Sequence, residues 1–162
     1  RTSHNPPAPE LLDLADKTGM LIMDEAFDAW AHSKREWEYN KLYEEGHEKD
    51  LEALVRRDWT HPSVVFWSIG NEVLEQQNVE MTRHLVEIVK ELDKTRPVTN
   101  GYNDPNGGRA SGASIALDVM GVNYFFYEQA KWDQDEEHAD DRYGNIFLFE
   151  YTWSLFPRRY DP

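Results

Sequence analysis

Four short apolar runs in this sequence end in pairs of polar residues. Met20-Leu21-Ile22-Met23 runs into Asp24-Glu25, Ser63 through Gly70 into Asn71-Glu72, Asp118 through Val122 into Asn123-Tyr124, and Ile146 through Phe149 into Glu150-Tyr151. If the runs are parallel strands, their C-terminal ends share one edge, where β/α folds place their active sites. Two carboxylates converging there, Glu72 and Glu150, suit the division of labour that glycosidic hydrolysis needs: one protonated as general acid, the other ionised as nucleophile or base. A glutamate just past a strand is as readily a solvated group or the partner of an arginine such as Arg158 or Arg159. The neighbouring residues favour chemistry, since Trp67, Trp153, Tyr124, Tyr151, Phe125 and His4 adjoin the same ends. Aromatic faces stack on sugar rings, and Asn, His and Tyr donate to hydroxyls. Trp67 lies inside a strand and is equally explained as core.

The elements that must position these residues follow from periodicity and punctuation. Leu11, Leu12, Leu14 and Ala15, between Pro9 and Gly19, predict a short helix before a strand at Met20–Met23. The stretch from Phe27 to Asn40 reads as loop, and Leu51, Leu54 and Val55 predict a helix up to Trp59. The nearly continuous apolar run Ser63–Gly70 fits a strand buried on both faces. Asn78 is placed to cap a helix carrying Leu85, Ile88, Val89 and Leu92 on one side. A strand at Pro97–Thr99, a Gly/Asn-rich loop from Asn100 to Gly108, a short helix, and strands near 118–122 and 146–149 complete the order. This β/α rhythm predicts an α/β fold, with a doubly wound sheet and a barrel both open. A complete eight-stranded barrel takes about 250 residues, and five of its eight strands about 156. The 162 residues therefore suit one domain that is part of a barrel.

Composition removes several function classes. With 17 Lys+Arg against 31 Asp+Glu, the net charge of −14 argues against nucleic acid as partner. No run reaches the roughly 18 apolar residues of a membrane span. There is no cysteine, hence no disulfide framework or thiolate metal site. No His-Glu-x-x-His, P-loop or dinucleotide fingerprint occurs, and no metal or cofactor is expected. Asn103-Asp104-Pro105-Asn106-Gly107 reads as a turn, and the histidines other than His4 as surface or capping residues.

The segments Arg1-Thr2-Ser3-His4-Asn5-Pro6, Met23-Asp24-Glu25, Ser68-Ile69-Gly70-Asn71-Glu72 and Phe149-Glu150-Tyr151, in this order, resemble glycoside hydrolase family 2, which includes β-galactosidases, β-glucuronidases and β-mannosidases. The resemblance implies a partial TIM (β/α)8 barrel running from the end of strand two through strand seven. It implies Glu72 as acid/base after strand four and Glu150 as nucleophile ending strand seven. It further implies Asn71 at the sugar 2-hydroxyl, Tyr124 against the nucleophile, and His4, Asp24 and Trp153 as sugar-site residues. The stretch Glu25-Ala26-Phe27-Asp28-Ala29-Trp30, followed by Lys34 and Tyr39, is most similar to β-galactosidase-like members. The implied activity is exo-acting, retaining hydrolysis of terminal β-linked sugars, β-galactosides first. The competing readings are β-glucuronidase or β-mannosidase activity of the same family, or a non-catalytic carbohydrate-binding fragment inactive on its own. A barrel lacking strand one, most of strand two and strand eight is expected to belong to a longer enzyme and to cover its open edges by self-association or by further domains.

Overall fold

Pro9 occupies the first turn of α1 (Pro9–Thr18), where its missing N–H has no intrahelical partner to lose, and Gly19 ends the helix with φ 73°. The chain then enters β1 (Ile22–Glu25). The computed structural model describes residues 1–124 and 146–148. Within them follow α2 (Asn40–Asp58), β2 (Val64–Asn71), α3 (Val79–Leu92), β3 (Val98–Tyr102), α4 (Pro105–Ser111), a 3-10 turn (Ala113–Ala116), β4 (Val119–Val122) and β5 (Ile146–Leu148).

All four strand pairings are parallel, and the sheet order is β1-β2-β3-β4-β5. A doubly wound sheet reverses its strand order at a switch point. Here each described strand lies beside its predecessor, as in the wall of a (β/α)8 barrel, so the structure is an arc of such a barrel.

The helices pack through the residues that periodicity singled out. Leu85 and Val89 of α3 and Leu51, Leu54 and Val55 of α2 are buried with Leu12 and Ala15 of α1 against Val64, Trp67 and Ile69 of β2. Each such aliphatic side chain contributes about 1.5–3 kcal/mol by leaving water. The Asn78 side chain caps α3, accepting from Met81 N at 3.0 Å. Asp104 caps α4 through Gly107 N at 3.0 Å, which makes the Asn103–Gly107 stretch a helix start.

Three boundaries differ from expectation. Met20 and Leu21 are exposed and β1 begins at Ile22, so Asp24 and Glu25 lie inside the strand. The α2 helix starts at Asn40, because Tyr43 buries against Phe27 and Tyr39 and stacks on His47 at 4.3 Å; one aromatic anchors a turn whose other residues, Leu42 among them, stay outside the core. Asn100, Gly101 and Tyr102, expected in a loop, continue β3 and are buried. Trp67 is core: its Nε1 donates to Asp93 at 2.9 Å, and Arg96 also binds Asp93 at 2.7 Å. Glu150 and Trp153 lie outside the described residues.

Candidate active site

Alternation along β1 sends neighbouring carboxylates to opposite faces. Glu25 shares its face with Ser68, its register partner on β2, whose Oγ donates to Glu25 Oε2 at 2.7 Å. Arg1 Nε donates to the same oxygen at 2.8 Å, and His4 Nδ1 lies 2.8 Å from Oε1. The Glu25 side chain is wholly shielded from solvent, so these partners are what makes a charge tolerable there.

Arg1 also joins the two strand ends, donating through its second terminal nitrogen to Asn71 Oδ1 at 2.7 Å. On its other side, Asn71 Nδ2 donates to Asp28 Oδ1 at 2.9 Å, and Lys34 Nζ clamps Asp28 Oδ1 at 2.7 Å and the Asn71 carbonyl at 2.9 Å. The Lys34 ammonium and two hydrogen bonds hold the Asp28 carboxyl below the usual range despite partial burial, which pulls the other way.

Asn71 and Glu72 are consecutive, yet both join this cluster. The β2–β3 register slips between Ser68 and Asn71, and Glu72 takes φ 47°. A non-glycine residue in the left-handed region costs on the order of 1 kcal/mol and occurs disproportionately at functional sites. Its backbone N–H donates to Gly101 O at 2.8 Å. Asn123, just past β4, donates to Glu72 Oε1 at 2.6 Å and to Asn71 Oδ1 at 3.1 Å. Asn103, just past β3 and held by Gln76 Nε2 at 2.7 Å, reaches Glu72 Oε2 at 3.3 Å. Tyr124 adjoins Asn123, exposed and also left-handed at φ 69°. The cluster thus draws on the C-terminal ends of β1, β2, β3 and β4.

Of the residues expected at a sugar site, the structure brings His4, Asn71 and Glu72 together and puts Tyr124 on the same edge. Asp24 is not brought there. It faces Asp58 across the space between β1 and α2, and burial, followed by the Asp58 carboxyl, pushes it up to about 8. Asp58 is itself gripped by Arg57 through two contacts of 2.6 Å. Sequence reasoning passed over Arg1, Asp28, Ser68 and Asn103, and gave Glu25 less weight than Asp24. Strand alternation separates the two β1 carboxylates only once the strand's start is known. A cavity of about 840 Å³ opens beside Asp28, lined by Asn5, Pro6, Phe27, Trp37 and Tyr39 among others.

Comparison with known proteins shows the family. Residues 1–151 match the family model described as "Glycosyl hydrolases family 2, TIM barrel domain". The chain belongs to glycosyl hydrolase family 2. Beta-galactosidase BoGH2A of Bacteroides ovatus is 44% identical over 76% of this family 2 chain and 19% of that protein. A putative beta-glucuronidase of Formosa agariphila is 36% identical over 76% of the chain and 11% of that protein. The crystal structure of a family 2 member from Bacteroides cellulosilyticus superposes with TM-score 0.72 at 40% identity, over 82% of this chain and 18% of the other. This family 2 chain therefore spans about a fifth or less of the length of these relatives.

Proposed function

We propose that this chain forms part of the catalytic barrel of a retaining, exo-acting β-glycosidase, with terminal β-galactosides as substrates. The observation that carries the reading is Glu72, set on a strained backbone at the end of β2 and held between Asn123 and Asn103, with Asn71 beside it. A carboxyl fixed this way at a strand end is placed to give a proton to a leaving oxygen and take one back. The second carboxylate is Glu150, two positions after β5 in the sequence.

In the first step Glu150 attacks the anomeric carbon as the glycosidic C–O bond breaks, and the Glu72 proton passes to the departing oxygen. In the second, ionised Glu72 takes a proton from water, whose oxygen attacks the anomeric carbon and releases Glu150 as carboxylate. The sugar keeps its β configuration. Asn71, with its amide oriented by Arg1 and Asp28, and His4, oriented by Glu25, are proposed to bind sugar hydroxyls. Trp153 and Tyr124 are proposed to contact the sugar and the nucleophile. Asp24 is proposed to support β1 from behind.

A β-glucuronide is the second reading, supported by the several glucuronidases among the relatives. A uronic carboxylate calls for a cation in the site; among the described residues Arg1 is engaged by Glu25 and Lys34 by Asp28, pairings that suit a neutral sugar better.

The test is hydrolysis of chromogenic β-galactoside, β-glucuronide, β-mannoside and β-glucoside substrates by the protein and its Glu150→Gln variant, with the first-formed anomer read by NMR. Galactoside turnover that disappears in the variant, with β product formed first, supports the proposal. Sugar binding without turnover in either protein would make it a carbohydrate-binding module, and an α product would overturn retention.

A further inference from the structure

On the outer side of the sheet, α2 and α3 bring together two of the histidines that look scattered in the sequence. His47, Glu48 and His84 place one ligand atom each within 4.8 Å of one another. We propose that these three side chains form a binding site for a divalent transition metal of the zinc type, bracing α2 against α3.

Three features argue for it. The His47 Nδ1 is 2.6 Å from the Tyr43 carbonyl oxygen, which can only accept, so Nδ1 carries the proton and Nε2 carries the lone pair. Metal-ligating histidines are oriented in this way, with the distal N–H given to a carbonyl or carboxylate. The stack of His47 on Tyr43 at 4.3 Å fixes the ring plane as well. Next, His84 Nε2 and Glu48 Oε1 are already 2.9 Å apart, near the roughly 3.4 Å that bonds of about 2.0–2.1 Å give in a tetrahedral shell. Both are half-exposed, so small rotamer changes close the remaining distance to His47. Finally, the site borders a cavity of about 440 Å³ where Glu44, Glu80 and Glu87 outnumber Arg83, a local field that attracts a cation.

Two imidazoles and one carboxylate select a borderline metal such as Zn²⁺ over Mg²⁺, which prefers six oxygens. The fourth position is open to water or to a carboxylate of the same hollow. Because His47 and His84 are far apart in sequence and on different helices, a bound ion closes a long loop and favours the folded state.

Titration of the full chain with Zn²⁺ against a chromogenic chelator, in excess Mg²⁺, tests this. One Zn²⁺ per chain is expected, with a thermal midpoint raised by several degrees. Affinity is expected to fall at least tenfold in His84→Ala and in Glu48→Gln. Both residues are on the surface, so these variants keep the fold, as circular dichroism will verify, even where His47→Ala disturbs the Tyr43 stack. No uptake by the wild type, or a loss smaller than tenfold in either variant, overturns the proposal.

Discussion

Asp24 and Asp58 face each other in the buried space between β1 and α2, and only Asp58 has the bidentate grip of Arg57. Two carboxyls this close in a low-dielectric space cannot both ionise without cost, so the one without the guanidinium keeps its proton.

The consequence is a pH dependence of stability with a definite sign. Native Asp24 releases its proton at about 8, against 3.8 for the ordinary carboxyl. Between those values the folded chain holds a proton that the unfolded chain has lost. Its contribution is complete below the lower value and disappears as pH rises through the upper one. Thermal unfolding of wild type and Asp24→Asn across this range checks it. The wild-type midpoint should fall more steeply with rising pH than that of the variant, whose amide does not titrate. Parallel curves would refute the assignment.

Removing Asp93 should be strongly destabilising although it lies outside the site. Its carboxylate receives Trp67 Nε1, Arg96 and the backbone and hydroxyl of Thr95, and these bonds hold it well below the usual range although burial opposes them. Asp93→Ala strands an indole N–H and leaves the Arg96 guanidinium only the Val64 and His61 carbonyls, a loss of about 3–5 kcal/mol by the behaviour of broken buried pairs. Denaturant unfolding measures it, and a loss under about 1 kcal/mol, the range of exposed pairs, would mean that the cluster is solvated.

How far this site was legible depended on where strands start and stop. Gly70-Asn71-Glu72 stood out because an apolar run ends abruptly in polar residues, and the structure does gather Asn71 and Glu72. The β1 carboxylates were misweighted for a geometric reason: with a period of two, the face of each residue follows from the strand's register, and exposed Met20 and Leu21 look like strand. Asn103 was hidden because Asn100-Gly101-Tyr102 has loop composition, and only neighbouring strands make it β3. The irregularity after Ser68 that turns both Asn71 and Glu72 inward is a backbone event with no composition of its own.

Asn123 is expected to matter for turnover and not for folding. It bridges Asn71 and Glu72 from the end of β4. Hydrogen bonds to charged groups are worth about 1.5–3 kcal/mol, which is roughly 10–100-fold in rate if the bond is needed in the transition state. Asn123→Ala should therefore lower kcat within that range with an unchanged unfolding midpoint. A midpoint that drops in step with kcat would identify a structural residue instead.

The two proposed carboxylates can be told apart by the leaving group. Protonation of the departing oxygen is essential when that oxygen is strongly basic, and dispensable when the leaving phenol is acidic enough to depart as its anion. General acid catalysis supplies about 10²–10⁴-fold, so Glu72→Gln should lose that much on alkyl and natural glycosides and far less on dinitrophenyl glycosides. Its second step, without a general base, should then become limiting, giving a burst of phenol followed by slow turnover. Glu150→Gln should be equally inactive on every substrate, because no leaving group replaces a missing nucleophile. Steady-state rates over a series of aryl glycosides of graded acidity measure both slopes. If Glu72→Gln fails uniformly, or Glu150→Gln is rescued by the acidic phenols, the roles assigned to these two glutamates are reversed.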